Sequence, residues 1–362
     1  MSLNHYLTLG RSGLRVSPFC LGAMTFGDDK NGASAEISQK IIDRFLERGG
    51  NFLDTANGYT QGRSEKIIGD HLGKNPAKRE RAVIATKFFT SLFTGDPNGG
   101  GAGRKAIVAQ CEESLRRLQT DYIDLYWMHC WDVHTPIDET MRAFDDLVRA
   151  GKIRYAGFSD TPAWKVAQAQ TLASFRGYAP LIALQIEYSL LERTVEGELV
   201  PMAEELGLGI TPWSPLKFGA LSGKYTRENT KELKPEGRGL WLQGVFTERT
   251  HAIIDAVAAA AKDLDSTPAR VALSWLQARR GVSSTIIGVR SLEQLDDNLA
   301  ALDLTLRPEH KATLDKLSAP TLPFPVNFVK NVGPMVSHGG TTVNGVAAAP
   351  WPMAPKDDSE RA

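Results

Sequence analysis

Two rhythms alternate along this chain. Short apolar runs, each closed by a turn or a polar residue, are separated by longer stretches in which apolar residues recur every three or four positions. The first pattern predicts buried strands and the second amphipathic helices. Phe19-Cys20-Leu21-Gly22 is the first buried run. Asn51-Phe52-Leu53 leads into Asp54, Val83-Ile84-Ala85-Thr86 into Lys87, and the run from Ile123 into His129. Residues 153–158, 181–186, 208–213 and 285–287 complete eight strands. Between them, Ile37, Ile41 and Phe45 mark a helix stopped by Gly49-Gly50. Ile67, Ile68 and Leu72 mark a shorter one. Ile107, Cys111, Leu115 and Leu118 mark a third. Thr135-Pro136-Ile137-Asp138 reads as an N-cap threonine with a first-turn proline, and Thr161-Pro162 opens the next helix. Further helices are expected at 196–206, 253–264, 269–278 and 291–302.

Strands separated by helices run parallel, because each crossover needs a helix. Eight such units predict a closed (β/α)8 TIM barrel. An open dinucleotide-binding sheet would carry Gly-x-Gly-x-x-Gly after its first strand, and none follows either early strand. Ahead of the barrel, residues 6–9 and 14–18 flank Gly10-Arg11-Ser12-Gly13 as a β-hairpin placed to plug the barrel floor. Beyond Leu317, prolines 320, 323, 325, 334, 350, 352 and 355 interrupt any regular pattern. The expected division is a barrel over 1–318 and an irregular tail over 319–362, packed on the barrel or partly mobile.

The 42 basic and 42 acidic residues cancel, so nothing favours nucleic acid or an anionic membrane as partner. No apolar run approaches the ~20 residues of a membrane span, and the first residues lack a basic-then-apolar leader. A cytoplasmic protein is expected. Cys20, Cys111 and Cys130 are scattered in apolar surroundings and read as buried free thiols. No metal site is expected: His129 and Cys130, as neighbours on a strand, would face opposite ways.

The chemistry gathers at strand ends, where barrels of this kind place their active sites. A free tyrosine is a poor acid at neutral pH, but an adjacent lysine ammonium stabilises its phenolate. A carboxylate such as Asp54 would keep Lys87 charged, and a neutral His129 could orient a carbonyl oxygen. Asp54, Tyr59, Lys87 and His129 together would form a proton donor poised against a carbonyl. Alone, Asp54 and Lys87 would read as a structural ion pair. The Gly99-Gly100-Gly101 run lacks the Lys-Ser/Thr ending of a phosphate loop and reads as a flexible loop.

At this point a resemblance emerges. Asp54-Thr55-Ala56-Asn57-Gly58-Tyr59, Lys87, His129, Gly157-Phe158-Ser159-Asp160, Gln185-Ile186-Glu187-Tyr188-Ser189, Pro212-Trp213-Ser214-Pro215-Leu216 and Gly288-Val289-Arg290-Ser291 with Gln294 and Asn298 resemble the aldo-keto reductase superfamily. Ser159-Asp160-Thr161-Pro162-Ala163-Trp164 is most similar to its aryl-alcohol-dehydrogenase-like branch. The resemblance implies an NADP(H)-dependent oxidoreductase interconverting carbonyls and alcohols. Tyr59 would be the general acid, Lys87 its pKa-lowering partner, Asp54 the lysine's anchor and His129 the orienting group. It implies cofactor contacts at Gly22, Thr25, Ser159, Asp160 and Gln185, with Trp213 stacking on nicotinamide. Ser214, Leu216, Gly219, Leu221, Gly223 and Lys224, in a long connection over 214–246, would fold over the pyrophosphate. Gly288, Arg290, Ser291, Gln294 and Asn298 would hold the adenosine end, where a guanidinium beside a helix N-terminus suits a 2′-phosphate. Many relatives carry asparagine where this chain has Asp160, whose charge would favour the oxidised, positively charged ring. Met24, Phe26, Phe89 and Trp131 would line an apolar entrance for a small-molecule carbonyl or alcohol. Aromatic aldehydes, sugars and glycosides all stay open as substrates, as do monomeric and homo-oligomeric states. A cofactor-sensing regulatory subunit, similar to the potassium-channel β-subunits, and a non-redox barrel are the alternatives.

Overall fold

The computed structural model describes residues 2–232 and 241–361, so 233–240 of the long connection lie outside the described residues. Strands β1 (Leu7–Thr8) and β2 (Arg15–Val16) pair antiparallel as the expected hairpin. Eight strands then pair in parallel: β3 (Phe19–Gly22), β4 (Phe52–Asp54), β5 (Val83–Phe88), β6 (Ile123–Met128), β7 (Ile153–Ser159), β8 (Leu181–Glu187), β9 (Gly209–Trp213) and β10 (Thr285–Gly288). Neighbours in sequence are neighbours in the sheet, and β10 returns to β3, with Gly288 opposite Gly22. The last seam runs through the residues entering β10. The Ile210 N–H donates to the Gly281 carbonyl at 2.9 Å, and the Ser283 N–H donates to the Ile210 carbonyl at 2.9 Å. The chain is an α/β TIM barrel.

Helices α1 (Ala35–Glu47), α2 (Arg63–Ile68), α3 (Pro76–Arg79), α4 (Arg104–Leu118), α5 (Ile137–Arg149), α6 (Ala163–Arg176), α7 (Leu199–Leu206), α8 (Glu248–Asp263), α9 (Pro268–Gln277), α10 (Leu292–Leu299) and α11 (Pro308–Leu317) connect and jacket the strands. α1 buries Ile41, Ile42 and Phe45 and is capped by the Ser34 hydroxyl, which accepts from the Ile37 N–H. The expected Thr135 cap is corrected: α5 follows Pro136 without a side-chain cap, and α6, opening after Thr161-Pro162 as expected, has none either. The Thr135 hydroxyl donates to Asp132 and that of Thr161 to the Ser159 carbonyl instead.

The barrel interior is filled. Residues alternate along each strand, so Cys20, Phe52, Val83, Ala85, Leu125, Trp127 and Ile286 form one inner cluster. Gly157 makes room for Trp127: a Cβ on Gly157 would lie 2.4 Å from the indole ring. Leu9 and Val16 of the hairpin join this cluster fully buried. Gly10, at φ +59°, fits where a Cβ would strike the backbone of residues 182, 207 and 209. The hairpin thus stoppers the N-terminal end of the barrel.

Past α11 the proline-rich stretch is more regular than its composition suggests. It holds α12 (Val326–His338), with Pro334 inside it, and a small hairpin of β11 (Thr342–Val343) and β12 (Val346–Ala347). Among the described residues, no helix is long and apolar enough to cross a membrane.

Candidate active site

The opposite, C-terminal end of the barrel holds the predicted quartet. Asp54 is the last residue of β4, flanked in register by Gly22 and Ala85. The chain beyond it keeps following β5: the Thr55 N–H donates to the Ala85 carbonyl and the Asn57 N–H to the Lys87 carbonyl, each at 2.9 Å. Gly58 then packs where a Cβ would lie 2.8 Å from the Thr90 side chain. A short turn starts at Tyr59, with Thr60 and Gln61 in the left-handed region at φ 46° and 60°. These steps return the phenol over β5.

Lys87 is fully buried beneath it. Its ammonium donates to the Asp54 carboxylate, to the Thr55 carbonyl at 2.8 Å and to the Tyr59 hydroxyl at 3.2 Å. The second Asp54 oxygen accepts from the Gln185 amide at 2.9 Å. Lys87 therefore has three acceptors for its three protons. The Thr55 contact is invisible in sequence, because a backbone carbonyl carries no residue signature. His129 follows β6 directly, its N–H donating to the Phe88 carbonyl. Its imidazole meets the Tyr59 ring edge-to-face, with centroids 5.7 Å apart. The four side chains converge.

Their electrostatics follow from burial. Burial disfavours charge on Lys87, but Asp54 and Tyr59 more than offset it, and its pKa is raised. Burial pushes the Tyr59 hydroxyl up; Lys87 pulls it down without cancelling that effect. Lys87 thus acts in the expected direction, burial outweighs it, and Tyr59 rests as a phenol. Burial, reinforced by the Lys87 charge, drops His129 to about 3, so its imidazole is neutral at physiological pH.

Around the quartet, Ser159 ends β7 buried, and Gln185 lies opposite it on β8. Asp160 follows, left-handed at φ 40°, and accepts from the Trp213 indole N–H at 3.0 Å. Crowding by protein pushes Asp160 up to about 6, against the pull of that hydrogen bond. Its carboxylate still reaches solvent, which screens part of the effect. Glu187, the last residue of β8, pairs with Lys217 at 2.5 Å.

The remaining predicted contacts ring this end. Gly22 ends β3, and the Thr25 carbonyl accepts from Ala33 in the loop after it. Ser214, Leu216, Gly219, Gly223 and exposed Lys224 follow β9, while the Leu221 side chain turns into the core. Gly288 ends β10 exposed, with nothing within 4 Å of where its Cβ would stand. Ser291 caps α10 by accepting from the Gln294 N–H, and Gln294 accepts from the Arg290 N–H. The Arg290 guanidinium donates to the Asn31 carbonyl, and Asn298 is buried. This open strand end, helix N-terminus and guanidinium form a donor set that fits a phosphate.

The entrance residues divide. Met24 is exposed, and Phe89 is half-buried at φ 127°. Trp131 lines an open cavity with Trp164 and Lys165. Phe26 is corrected: it is fully buried in the outer core with Ile67 and Ile68 and cannot line an opening. Cys130 is corrected too, being exposed, whereas Cys20 and Cys111 are buried free thiols as expected. Sequence alone did not place Trp164 and Lys165 beside Trp131, although the Ser159-to-Trp164 motif ran straight into them.

The model of the aldo/keto reductase family matches residues 18–319. An uncharacterized oxidoreductase of Bacillus subtilis, YrpG, is 39% identical over 313 residues, 84% of this chain and 93% of that protein. The NADP(+) aryl-alcohol dehydrogenase of Phanerodontia chrysosporium is 33% identical over 336 residues, 87% of this chain and 85% of the relative. Norsolorinic acid reductase A of Aspergillus parasiticus is 32% identical over 334 residues, covering 90% and 84%.

Proposed function

The chain belongs to the aldo/keto reductase family, as an oxidoreductase of carbonyls and alcohols, and from that premise we propose that it uses NADP(H), with Tyr59 as proton donor to an aromatic carbonyl. The observation that carries this reading is the hydrogen-bonded line from Asp54 through Lys87 to Tyr59, with a neutral imidazole against the phenol. The cofactor preference rests on Arg290 beside the start of α10 and on the relative that carries NADP(+) in its name. The aromatic class rests on the relatives named for aryl alcohols.

Bound nicotinamide would supply the hydride for the carbonyl carbon. Ser159, Asp160 and Gln185 would hold its carboxamide, Trp213 its ring face, residues 214–224 the pyrophosphate, and Arg290, Ser291, Gln294 and Asn298 the adenosine end. The protein's own steps are electrostatic. Asp54 keeps Lys87 charged. Lys87 donates to the Tyr59 oxygen, which leaves the phenolic proton aimed elsewhere, at a carbonyl oxygen. As that proton leaves, the ammonium stabilises the phenolate formed. His129, uncharged, orients the carbonyl by a hydrogen bond. An ionised Asp160 would favour the oxidised ring over the reduced one.

Fluorescence titration with NADPH and NADH, followed by turnover of a benzaldehyde panel, tests the reading. We expect tighter NADPH binding and nicotinamide oxidation with aryl aldehydes. Absence of nucleotide binding, or turnover confined to non-aromatic substrates, overturns it.

A further inference from the structure

The rim next to the quartet carries a second feature. A cavity of about 390 Å³ opens between the loop after β6 and the start of α6. Its walls include the indoles of Trp131 and Trp164, the Lys165 side chain, His134 and Thr135. The Lys165 ammonium lies over both indoles, 4.8 Å from the Trp131 ring centroid and 4.4 Å from that of Trp164. Lys165 makes no ion pair among the described residues; its one hydrogen bond there runs to the Gln168 side-chain carbonyl at 3.0 Å. Among the described residues, no carboxylate lines the cavity. The nearest in sequence, Asp132, is engaged by the Ala102 N–H, the His134 N–H and the Thr135 hydroxyl.

Among the described residues the ammonium is thus half-buried, held by two aromatic faces and without a counter-ion or an acidic wall, which suits it to receive an anion. The flanking indoles offer flat apolar surface to a ring bearing that anion. The cavity also lies beside the chemistry. Trp131 stands two residues beyond His129, at most about 7 Å along the chain. Trp164 and Lys165 begin the helix that follows Ser159 and Asp160.

We propose that the cavity of Trp131, Trp164 and Lys165 is a subsite for a carboxylate on the aromatic substrate, so that the enzyme selects aryl carbonyl compounds bearing an acidic group. This rests on the aryl-carbonyl reading above and adds the charge that the substrate carries. The indoles seat the ring's far edge, and Lys165 donates to the carboxylate while the carbonyl faces Tyr59 and His129.

The test compares 4-carboxybenzaldehyde with 4-methylbenzaldehyde, alike in shape and different in charge. Affinity for the NADP(+)-loaded protein is measured by calorimetry and kcat/KM by nicotinamide oxidation, in wild type, Lys165→Gln and Lys165→Arg. We expect wild type to favour the acid about fivefold or more, through affinity and KM rather than kcat, as suits a charge-assisted contact. K165Q should bring the ratio near one, and K165R should retain it. Raised salt should shrink the ratio in wild type and K165R and leave that of K165Q unchanged. An acid-to-neutral affinity ratio equal in wild type and K165Q overturns the subsite. Failure of both aldehydes to oxidise NADPH instead overturns the proposed function, and the calorimetric ratio still decides the subsite.

Discussion

The two ends of the barrel use the same eight strands for opposite purposes. At the hairpin end, Leu9 and Val16 close over Phe52, Leu125 and Trp127, an apolar plug without access to water. At the other end the same strands carry Asp54, Lys87, Ser159 and Gln185 at or near their last residues, with a phenol and an imidazole added by the adjoining loops. Placing an ion pair inside protein costs several kcal/mol per ion before the partners compensate each other. The closed end contributes apolar packing, and the open end gathers the ionisable groups. Stability and turnover should therefore be separable by mutation.

The largest separation is expected from Tyr59→Phe, which keeps the ring and removes the proton. Turnover should fall about a thousandfold, within the usual range for losing a positioned acid, while NADPH affinity by fluorescence stays near wild type. Retained turnover would break the assignment. The mirror experiment is Leu9→Ala in the plug. Truncating a fully buried leucine costs about 2–5 kcal/mol. Denaturant melts should show that loss, with kcat well below the melting temperature unchanged; a stable but inactive variant would erase the contrast between the ends.

A smaller effect is expected from pH. His129 titrates near 3 when folded and near 6.5 as a free side chain. As pH falls from about 6.5 towards 3, the unfolded chain takes up that proton first, so the wild type loses stability across this window. His129→Gln should lose less between pH 7 and 4.5 in urea titrations, and equal slopes would refute the buried neutral imidazole. The smallest effect is expected at the more solvated Asp160. Its carboxyl titrates near 6, so wild type should prefer NADP(+) over NADPH more strongly at pH 7.5 than at pH 5, by a few-fold as suits a partly screened charge. Asp160→Asn should show a flat ratio.

Most of the barrel was readable because apolar periodicity reports which face of each element is buried. Strand ends were read to within a residue: β5 runs on to Phe88 and β6 stops at Met128. Loop geometry was not readable. The Thr135 hydroxyl that should have capped α5 serves another acceptor, as does that of Thr161 before α6, since a threonine hydroxyl can be claimed by a nearer carboxylate or carbonyl. Phe26 looked like an entrance residue beside Met24, but nothing local distinguishes an aromatic facing a helix from one facing a cleft. The burial that outweighs Lys87 at Tyr59 was not readable for a related reason: the charge of Lys87 is visible in sequence, while the depth at which both groups lie is a property of the whole fold. The four converging side chains were legible because strand termini of a barrel have one shared destination.

The stopper formed by Gly10, Leu9 and Val16, with the Trp127 indole lying across the space left by Gly157, also dictates traffic. A solid shaft has a single doorway, so both reactants must come and go over the same rim. Whichever sits deeper has to arrive earlier and depart later, and turnover acquires a queue.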